Sequence, residues 1–223
     1  MIFENKPQLG LGIYTPAEIA QILRLPYYKV NRWIDKYWDG ELGHKFEQRY
    51  SWKTDNSKAV SFHTLVEFYV MMQLADAGVK TRKVLEAHKE LSQFFNTNFP
   101  FALKEVLDGI NTDGKRIFFR VNDATITLDG TKQFNLEFIK VFFKKLEFDG
   151  NNLASKLWPL GREKSILIDP SRKFGHPVLE LKNIYPETIY GHFKAGDPIE
   201  YISYVYELTD KEVRDAIEFI TAA

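Results

Sequence analysis

Apolar residues recur at helical spacing through Tyr14–Lys36, YTPAEIAQILRLPYYKVNRWIDK, and predict two short helices joined by a tight turn. In the first, Ile19, Ile22 and Leu23 form the inward face, and Ala20 is small enough to let another helix approach. Thr15 stands before the run, Pro16 takes the first helical position and Glu18 follows three residues after the threonine. This is a capping box, in which two orphan amides are satisfied reciprocally. Leu25-Pro26 stops the helix, because proline clashes with a preceding helical turn, and the same proline suits the start of the next. In the second helix Val30, Trp33, Ile34 and Tyr37 make an i, i+3, i+4, i+7 stripe.

Burying that stripe leaves Lys29, Arg32 and Lys36 on the opposite face, with Tyr28 and Asn31 near the exposed N-terminal end. Arginine and asparagine each make two hydrogen bonds to a base edge, so such a face suits a DNA major groove. The plain alternative is a structural helical hairpin with a solvated charged face. Asp39–Gly43 is rich in turn residues and predicts a break. Two β-prone runs follow, Gln48–Lys53 and Lys58–Phe62, around the polar Thr54–Ser57, and read as a hairpin. A hairpin directly after a helix-turn-helix is a wing, and its tip brings Lys53 and Lys58 near the phosphate backbone, where contacts set orientation rather than sequence choice.

The lead-in Leu9–Ile13 is expected to pair with a later strand. Phe62–Ala77 is apolar almost all round and predicts a helix buried on several sides, ended by Gly78. Thr81 is placed to cap a following helix that buries Val84, Leu85, Leu91 and Phe95, and a domain boundary is expected near Asn96–Pro100. Beyond it, Phe101–Leu107 reads as a short helix, with Asp108-Gly109 as a turn. Lys115–Val121 and Ala124–Leu128 read as a hairpin around Asn122-Asp123. Leu136, Phe138, Ile139, Phe142, Phe143 and Leu146 predict an oily helix. A unit this small needs a neighbour to fold on, and with Arg116 and Arg120 it is one candidate for binding a partner, the C-terminal module being the other. Towards the end, Ser165–Pro170 and Pro177–Leu181 read as two short strands. Ile184–Lys194 reads as a helix, Asp197 and Pro198 open another, and Thr209 and Glu212 form a second capping box for a last helix burying Val213, Ile217 and Ile220. The expected class is mainly α with small β elements, in three parts: residues 1–96, a bridging α+β segment 97–157, and 158–223.

Composition narrows the function. Hydrophobic residues at 44% and aromatics at 15% are ample for packed cores, and no apolar run nears the roughly 20 residues that cross a bilayer. The start lacks a signal peptide's basic and apolar regions, so a cytoplasmic protein is expected. The absence of cysteine excludes disulfides, thiolate metal sites and a cysteine nucleophile. Thirty basic and thirty acidic residues cancel, which argues against a non-specific nucleic-acid coat. A sequence-specific regulator needs only a local patch, and Arg24–Lys58 holds eight basic residues against five acids. The five histidines (His44, His63, His88, His176, His192) show no metal-ligand spacing and are expected at the surface or in caps. No phosphate loop, dinucleotide fingerprint or nucleophile elbow is present, so no catalytic, metal or cofactor site is assigned and the chain is expected not to be an enzyme.

Residues 12–95, with TPAEIAQILRLPYYKVNRWI, a wing, and then FHTLVEFYVMMQLADAGVKTRKVLEAH, resemble a MerR-type winged helix. The chain departs from metal-sensing members in having neither cysteines nor a long dimerising coiled coil. Residues 165–220 resemble the homeodomain-like module of unknown function in VapB-type antitoxins, through I-x-I-D-P, G-x-P-V, a helix ending in A-G, and Y-x-L-T-x-x-x-V-x-x-A. Leu181-Lys182-Asn183 departs from that module's glycine-bearing turn. The two resemblances imply a DNA-binding antitoxin of a type II pair, paired with a PIN-like ribonuclease toxin, repressing its own operon as a homodimer on double-stranded DNA. Tyr28, Lys29, Asn31 and Arg32 are then expected at base edges or nearby phosphates, and Lys36, Lys53 and Lys58 at the backbone. The rival is a stand-alone MerR-like regulator with a ligand-responsive middle domain.

Overall fold

The computed structural model describes residues 8, 10–43, 49–53, 58–112, 116–121, 124–129 and 143–222. Helix α1 (Pro16–Leu23) begins as its capping box requires: the Thr15 amide donates to the Glu18 carboxylate at 2.7 Å, and the Glu18 amide to the Thr15 hydroxyl at 3.4 Å. It ends at Arg24 in the left-handed region (φ 54°), with the Leu25 amide turned back to the Ala20 carbonyl. Pro26 then precedes α2 (Tyr27–Arg32). The break expected at Asp39 does not occur. The chain runs on through Trp33–Leu42 as a wider π-type helix, closed by the Gly43 amide on the Trp38 carbonyl five residues back. Two tertiary contacts override the turn residues. Trp38 is wholly buried edge-on to Phe68, 4.6 Å between ring centres, and the Asp39 carboxylate accepts the amides of Tyr50 and Ser51.

Strands β1 (Ser51–Lys53) and β2 (Lys58–Val60) form the expected antiparallel hairpin, with Trp52 opposite Ala59 and Lys53 opposite Lys58. Its tip, 54–57, lies outside the described residues. The pairing expected of Leu9–Ile13 falls one residue later: Tyr14 and Val60 exchange backbone hydrogen bonds, while Leu11 accepts the amide of Phe62 at the start of the next helix. Helix α3 (Phe62–Asp76) is buried on all sides and ends in a Schellman motif, in which Gly78 donates to Ala75 and Val79 to Leu74. Helix α4 (Thr81–Phe95) starts with Thr81 inside it, so Lys80 occupies the cap position and no side chain caps the helix.

The middle of the chain leans on α3 and α4. Pro100–Ala102 form a 3-10 turn, and α5 (Lys104–Asp108) begins later than the sequence predicts. Strands β3 (Ile110–Thr112), β4 (Arg116–Val121) and β5 (Ala124–Asp129) make an antiparallel sheet in that order. The predicted hairpin is β4–β5, and its turn 122–123 is not among the described residues. Strand β3 was not expected, because Gly109 reads as a turn; here Gly109 lets the backbone of Arg120 approach, donating to the Gly109 carbonyl. Phe101 stacks on Phe119 at 5.9 Å beneath α4. Of the predicted oily helix, Leu136, Phe138, Ile139 and Phe142 lie outside the described residues. Phe143 sits in a helical turn, and Leu146 opens β6 (Leu146–Phe148), which pairs with β7 (Ala154–Leu157).

Strands β8 (Ile166–Leu167) and β9 (Val178–Leu179) pair as expected, followed by α6 (Pro186–Ala195), α7 (Ile199–Tyr206) and α8 (Asp210–Thr221). Asn183 adopts φ 56°, taking the left-handed place a glycine would fill, as asparagine tolerates best among non-glycine residues. Asp197 does not cap α7; Pro198 holds that position, and the Asp197 carboxylate meets His192 Nδ1 at 2.7 Å. The second capping box forms as predicted, but α8 is rotated from its expected face. Val213, Ala216 and Phe219 are buried with Asp215, while Ile217 and Ile220 are only half-buried. The cause is Asp215, which turns inward to accept the amide and hydroxyl of Ser165 at 3.0 and 2.9 Å, with Lys164 and Lys211 beside it. Buried apolar side chains from Tyr14 to Phe219 join one hydrophobic cluster.

Candidate nucleic-acid interface

The seven residues expected at DNA fall on α2, the π-type helix and the hairpin. Tyr28 is 74% exposed at the start of α2, which has no acidic residue in its first turn and no side-chain cap. Arg32 and Lys36 are exposed, and both cations lie 5.9 Å from the ring centre of Tyr37, at the outer limit of a cation–π contact. Lys29 is half-buried, its ammonium 5.3 Å from the Trp33 ring, so its stem covers apolar surface while its head reaches water. The stripe Val30, Trp33, Ile34 and Tyr37 is buried as predicted and sets the direction of this face.

Two positions differ from the simple expectation. Asn31 is half-buried and its side-chain oxygen is sealed from solvent without a hydrogen-bond partner among the described residues. A two-point contact to a base therefore requires Asn31 to rotate outward. Lys58 forms an ion pair with Asp35, which ties the hairpin to the middle of the helix, whereas Lys53 across from it is exposed. Asp35 is the residue that sequence reasoning passed over. Its signal was present, since it lies three residues after Arg32 and so shares that side of the helix. Of the middle segment's two arginines, Arg120 is exposed, its guanidinium 5.7 Å from the Phe118 ring, and the Arg116 side chain lies outside the described residues.

Tyr14 sits where the lead-in meets the loop between β8 and β9. Ile13 donates to the Phe174 carbonyl at 3.0 Å, Glu18 faces His176 Nε2 at 3.2 Å, and the Tyr14 ring is wedged between Gly12 and Gly175. Burial, with the carboxylates of Glu18 and Asp169 adding to it, pushes the Tyr14 phenol well above its ordinary pKa. A second buried junction was also unforeseen. His88, expected at the surface, is 1% exposed on the inner face of α4, and its Nε2 lies 2.6 Å from the wholly buried Glu67 carboxylate, though poorly aligned for a hydrogen bond. Spacing from Val84 and Leu91 places it on that inner face.

A cleft of about 310 Å³ lies where the lead-in, α3, β7 and the loop after β8 meet, lined in part by His63, Asp149, Lys156, Asp169 and Ser171. Burial lowers the pKa of His63, partly opposed by the Ala154 carbonyl and the Asp149 charge. Among the described residues, no three histidine, aspartate or glutamate side chains gather as a metal site, and no helix is long and apolar enough to cross a membrane.

Residues 166–220 match a family described as Protein of unknown function (DUF433). Over nearly the whole chain, the sequence is 22% identical across 240 residues to a Mycobacterium tuberculosis (strain H37Rv) protein named "Putative antitoxin VapB45", covering 98% of each. It is also 25% identical across 234 residues to "Uncharacterized protein Rv2308" of that organism, covering 95% of this chain and 91% of the other. The crystal structure of Rv2018 from Mycobacterium tuberculosis shares the fold, with a TM-score of 0.70 at 18% identity over 96% of this chain and 100% of that one.

Proposed function

We propose that this chain is a cytoplasmic DNA-binding antitoxin of a type II toxin–antitoxin pair, not an enzyme, that neutralises a PIN-like ribonuclease and represses its own operon. The observation that carries the proposal is its end-to-end similarity to a relative named as an antitoxin. The DNA half is supported by the exposed Tyr28, Arg32 and Lys36 on a helix pinned by its apolar stripe, with a hairpin immediately after it. In this reading residues 1–96 are a MerR-like winged helix-turn-helix, 97–157 a bridging segment and 158–223 the homeodomain-like antitoxin module. Tyr28, Lys29, Asn31 and Arg32 read bases or nearby phosphates, while Lys36, Lys53 and Lys58 contact the backbone. One short helix reads few base pairs, so a homodimer on two half-sites about one helical turn apart supplies the rest.

Two measurements on the full chain test the halves separately. Fluorescence anisotropy with the DNA upstream of its own gene, at fixed salt, should show tight binding that random duplex does not compete away. Co-expression with the adjacent gene product should give a complex that survives purification. Failure of either removes that half. The cleft beside His63 favours a second reading, a stand-alone regulator responding to a small metabolite. A gel shift that changes with a metabolite, without any ribonuclease partner, would select it.

A further inference from the structure

Helix α7 carries two apolar faces. Ile199, Ile202 and Tyr206 point inward, and Tyr206 donates or accepts a 2.8 Å hydrogen bond with His192 Nε2 of α6. On the outside, Tyr201, Tyr204 and Val205 are 52%, 83% and 46% exposed at i, i+3, i+4 spacing. A helix with apolar and aromatic residues on two opposite sides is ordinarily covered on both. Here the outer side is bare among the described residues, and Phe193 of α6 is also exposed.

Charge decides what fits there. Residues 182–212 hold six acids, Glu187, Asp197, Glu200, Glu207, Asp210 and Glu212, against Lys182, Lys194 and Lys211. Glu207 is paired with Lys182, Asp197 meets His192, Asp210 accepts the Ser203 hydroxyl and Glu212 caps α8. Glu200 lies one turn before Tyr204 on the same side of α7 and has no ion-pair partner among the described residues. Nucleic acid is repelled by such a rim. A second copy docking by the same face would bring like charges together, at a cost of several kcal/mol. A protein surface bearing arginine and lysine matches it, with guanidinium groups resting on the tyrosine rings and paired to the carboxylates.

We infer that the outer face of α7, centred on Tyr201, Tyr204 and Glu200, docks a cationic protein surface of the kind that otherwise grips RNA phosphates. This rests on the antitoxin reading and assigns its partner-binding site to the C-terminal helices, leaving the cationic face of α2 to DNA. The two macromolecular contacts are thereby separated by opposite charge on one chain.

The test uses the full chain, its Tyr201→Ala/Tyr204→Ala and Glu200→Lys variants, and the product of the adjacent gene, which the antitoxin reading expects to be a PIN-like ribonuclease. These side chains are exposed, and matched circular-dichroism melts check that the variants fold; Glu200→Lys, which removes no packing, keeps the test standing if the double variant does not. The expected result is a complex weakened about tenfold or more by each variant, as for a central aromatic or charged contact. Its affinity should fall with salt, less steeply for Glu200→Lys, with operator binding and oligomeric state unchanged. If wild type binds the ribonuclease and both variants bind it equally, the docking face is wrong and the antitoxin reading stands. If wild type binds no ribonuclease, that reading fails and takes this one with it. If the variants instead change the chain's own oligomeric state or its DNA affinity while ribonuclease binding holds, the face belongs to a second copy or to DNA.

Discussion

His88 Nε2 and the Glu67 carboxylate lie 2.6 Å apart inside the junction of α3, α4 and the 3-10 turn that leads into the middle of the chain. The other Glu67 oxygen accepts the Phe101 amide at 2.8 Å, so one buried side chain serves both contacts. The His88 ring is met edge-on by Phe101 and Trp38, 5.3 and 6.0 Å between centres. Buried ionisable pairs add little net stability, but removing one member strands the other.

Glu67→Ala should therefore destabilise the chain by about 3–5 kcal/mol. Glu67→Gln retains an oxygen for the Phe101 amide and should cost less. Urea unfolding checks both, and an equal loss for the two variants would mean the Phe101 contact contributes nothing.

Asp35 and Arg32 should have opposite effects on DNA binding. Arg32→Ala removes an exposed guanidinium and should weaken specific binding by about 1–3 kcal/mol, with unchanged folding. Asp35→Asn removes a negative charge from the same face, together with its hold on Lys58, and should tighten binding and steepen its salt dependence. Exposed ion pairs contribute only about 0–1 kcal/mol, so its melting temperature should barely move. Anisotropy titrations over a salt series read both effects; unchanged affinity for Arg32→Ala would count directly against the assignment of this face.

The Tyr14 hydroxyl is buried with no hydrogen-bond partner among the described residues, so Tyr14→Phe should be neutral or stabilising by up to about 1 kcal/mol. Gly175 has φ +88°, and a β-carbon there would overlap that hydroxyl. Gly175→Ala should cost about 2–4 kcal/mol, from left-handed strain and overlap together, and Tyr14→Phe in the same chain should recover part of it. Burial also raises the phenol pKa values of Tyr14, Tyr50 and Tyr69. A raised folded-state pKa leaves stability intact below the unfolded value, about pH 10, and erodes it as pH rises beyond, because the unfolded chain ionises first. Absorbance titration at alkaline pH should show these three of the eleven tyrosines ionising only as the chain unfolds.

Asp215 ties α8 to the start of β8. Its burial raises the carboxyl pKa, but hydrogen bonds from Lys211, Lys164 and Ser165 outweigh that and hold it below the usual range. A depressed folded-state pKa contributes stability above the unfolded value, about 3.9, that is lost as pH falls through the folded one. Asp215→Asn should cost about 2 kcal/mol at pH 7, and the gap to wild type should narrow below pH 4 in unfolding experiments.

Local signals were legible in residue order. Both capping boxes, the Pro26 junction, the Gly78 terminus, the β1–β2 and β4–β5 hairpins and the stripe Val30, Trp33, Ile34 and Tyr37 all formed as spacing predicted, because each depends on residues within one or two turns or one hairpin. The candidate face followed from that stripe, since burying one side of a helix exposes the other. The arrangement around it did not. Lys58 meets Asp35 across 23 residues, Asp39 holds Tyr50 and Ser51, His88 meets Glu67 and Asp215 rotates α8 toward Ser165. Each pairs groups from separate elements, and local propensity is blind to partners brought together only by packing. The sequence by itself thus determined which face of α2 is cationic and where the two capped helices, α1 and α8, begin; the starts of α4, α5 and α7 fell elsewhere. Tertiary structure alone decided that the helix continues past Asp39, which cation is already paired, and that α7 keeps an outer aromatic face, because burial and charge pairing are properties of the folded neighbourhood.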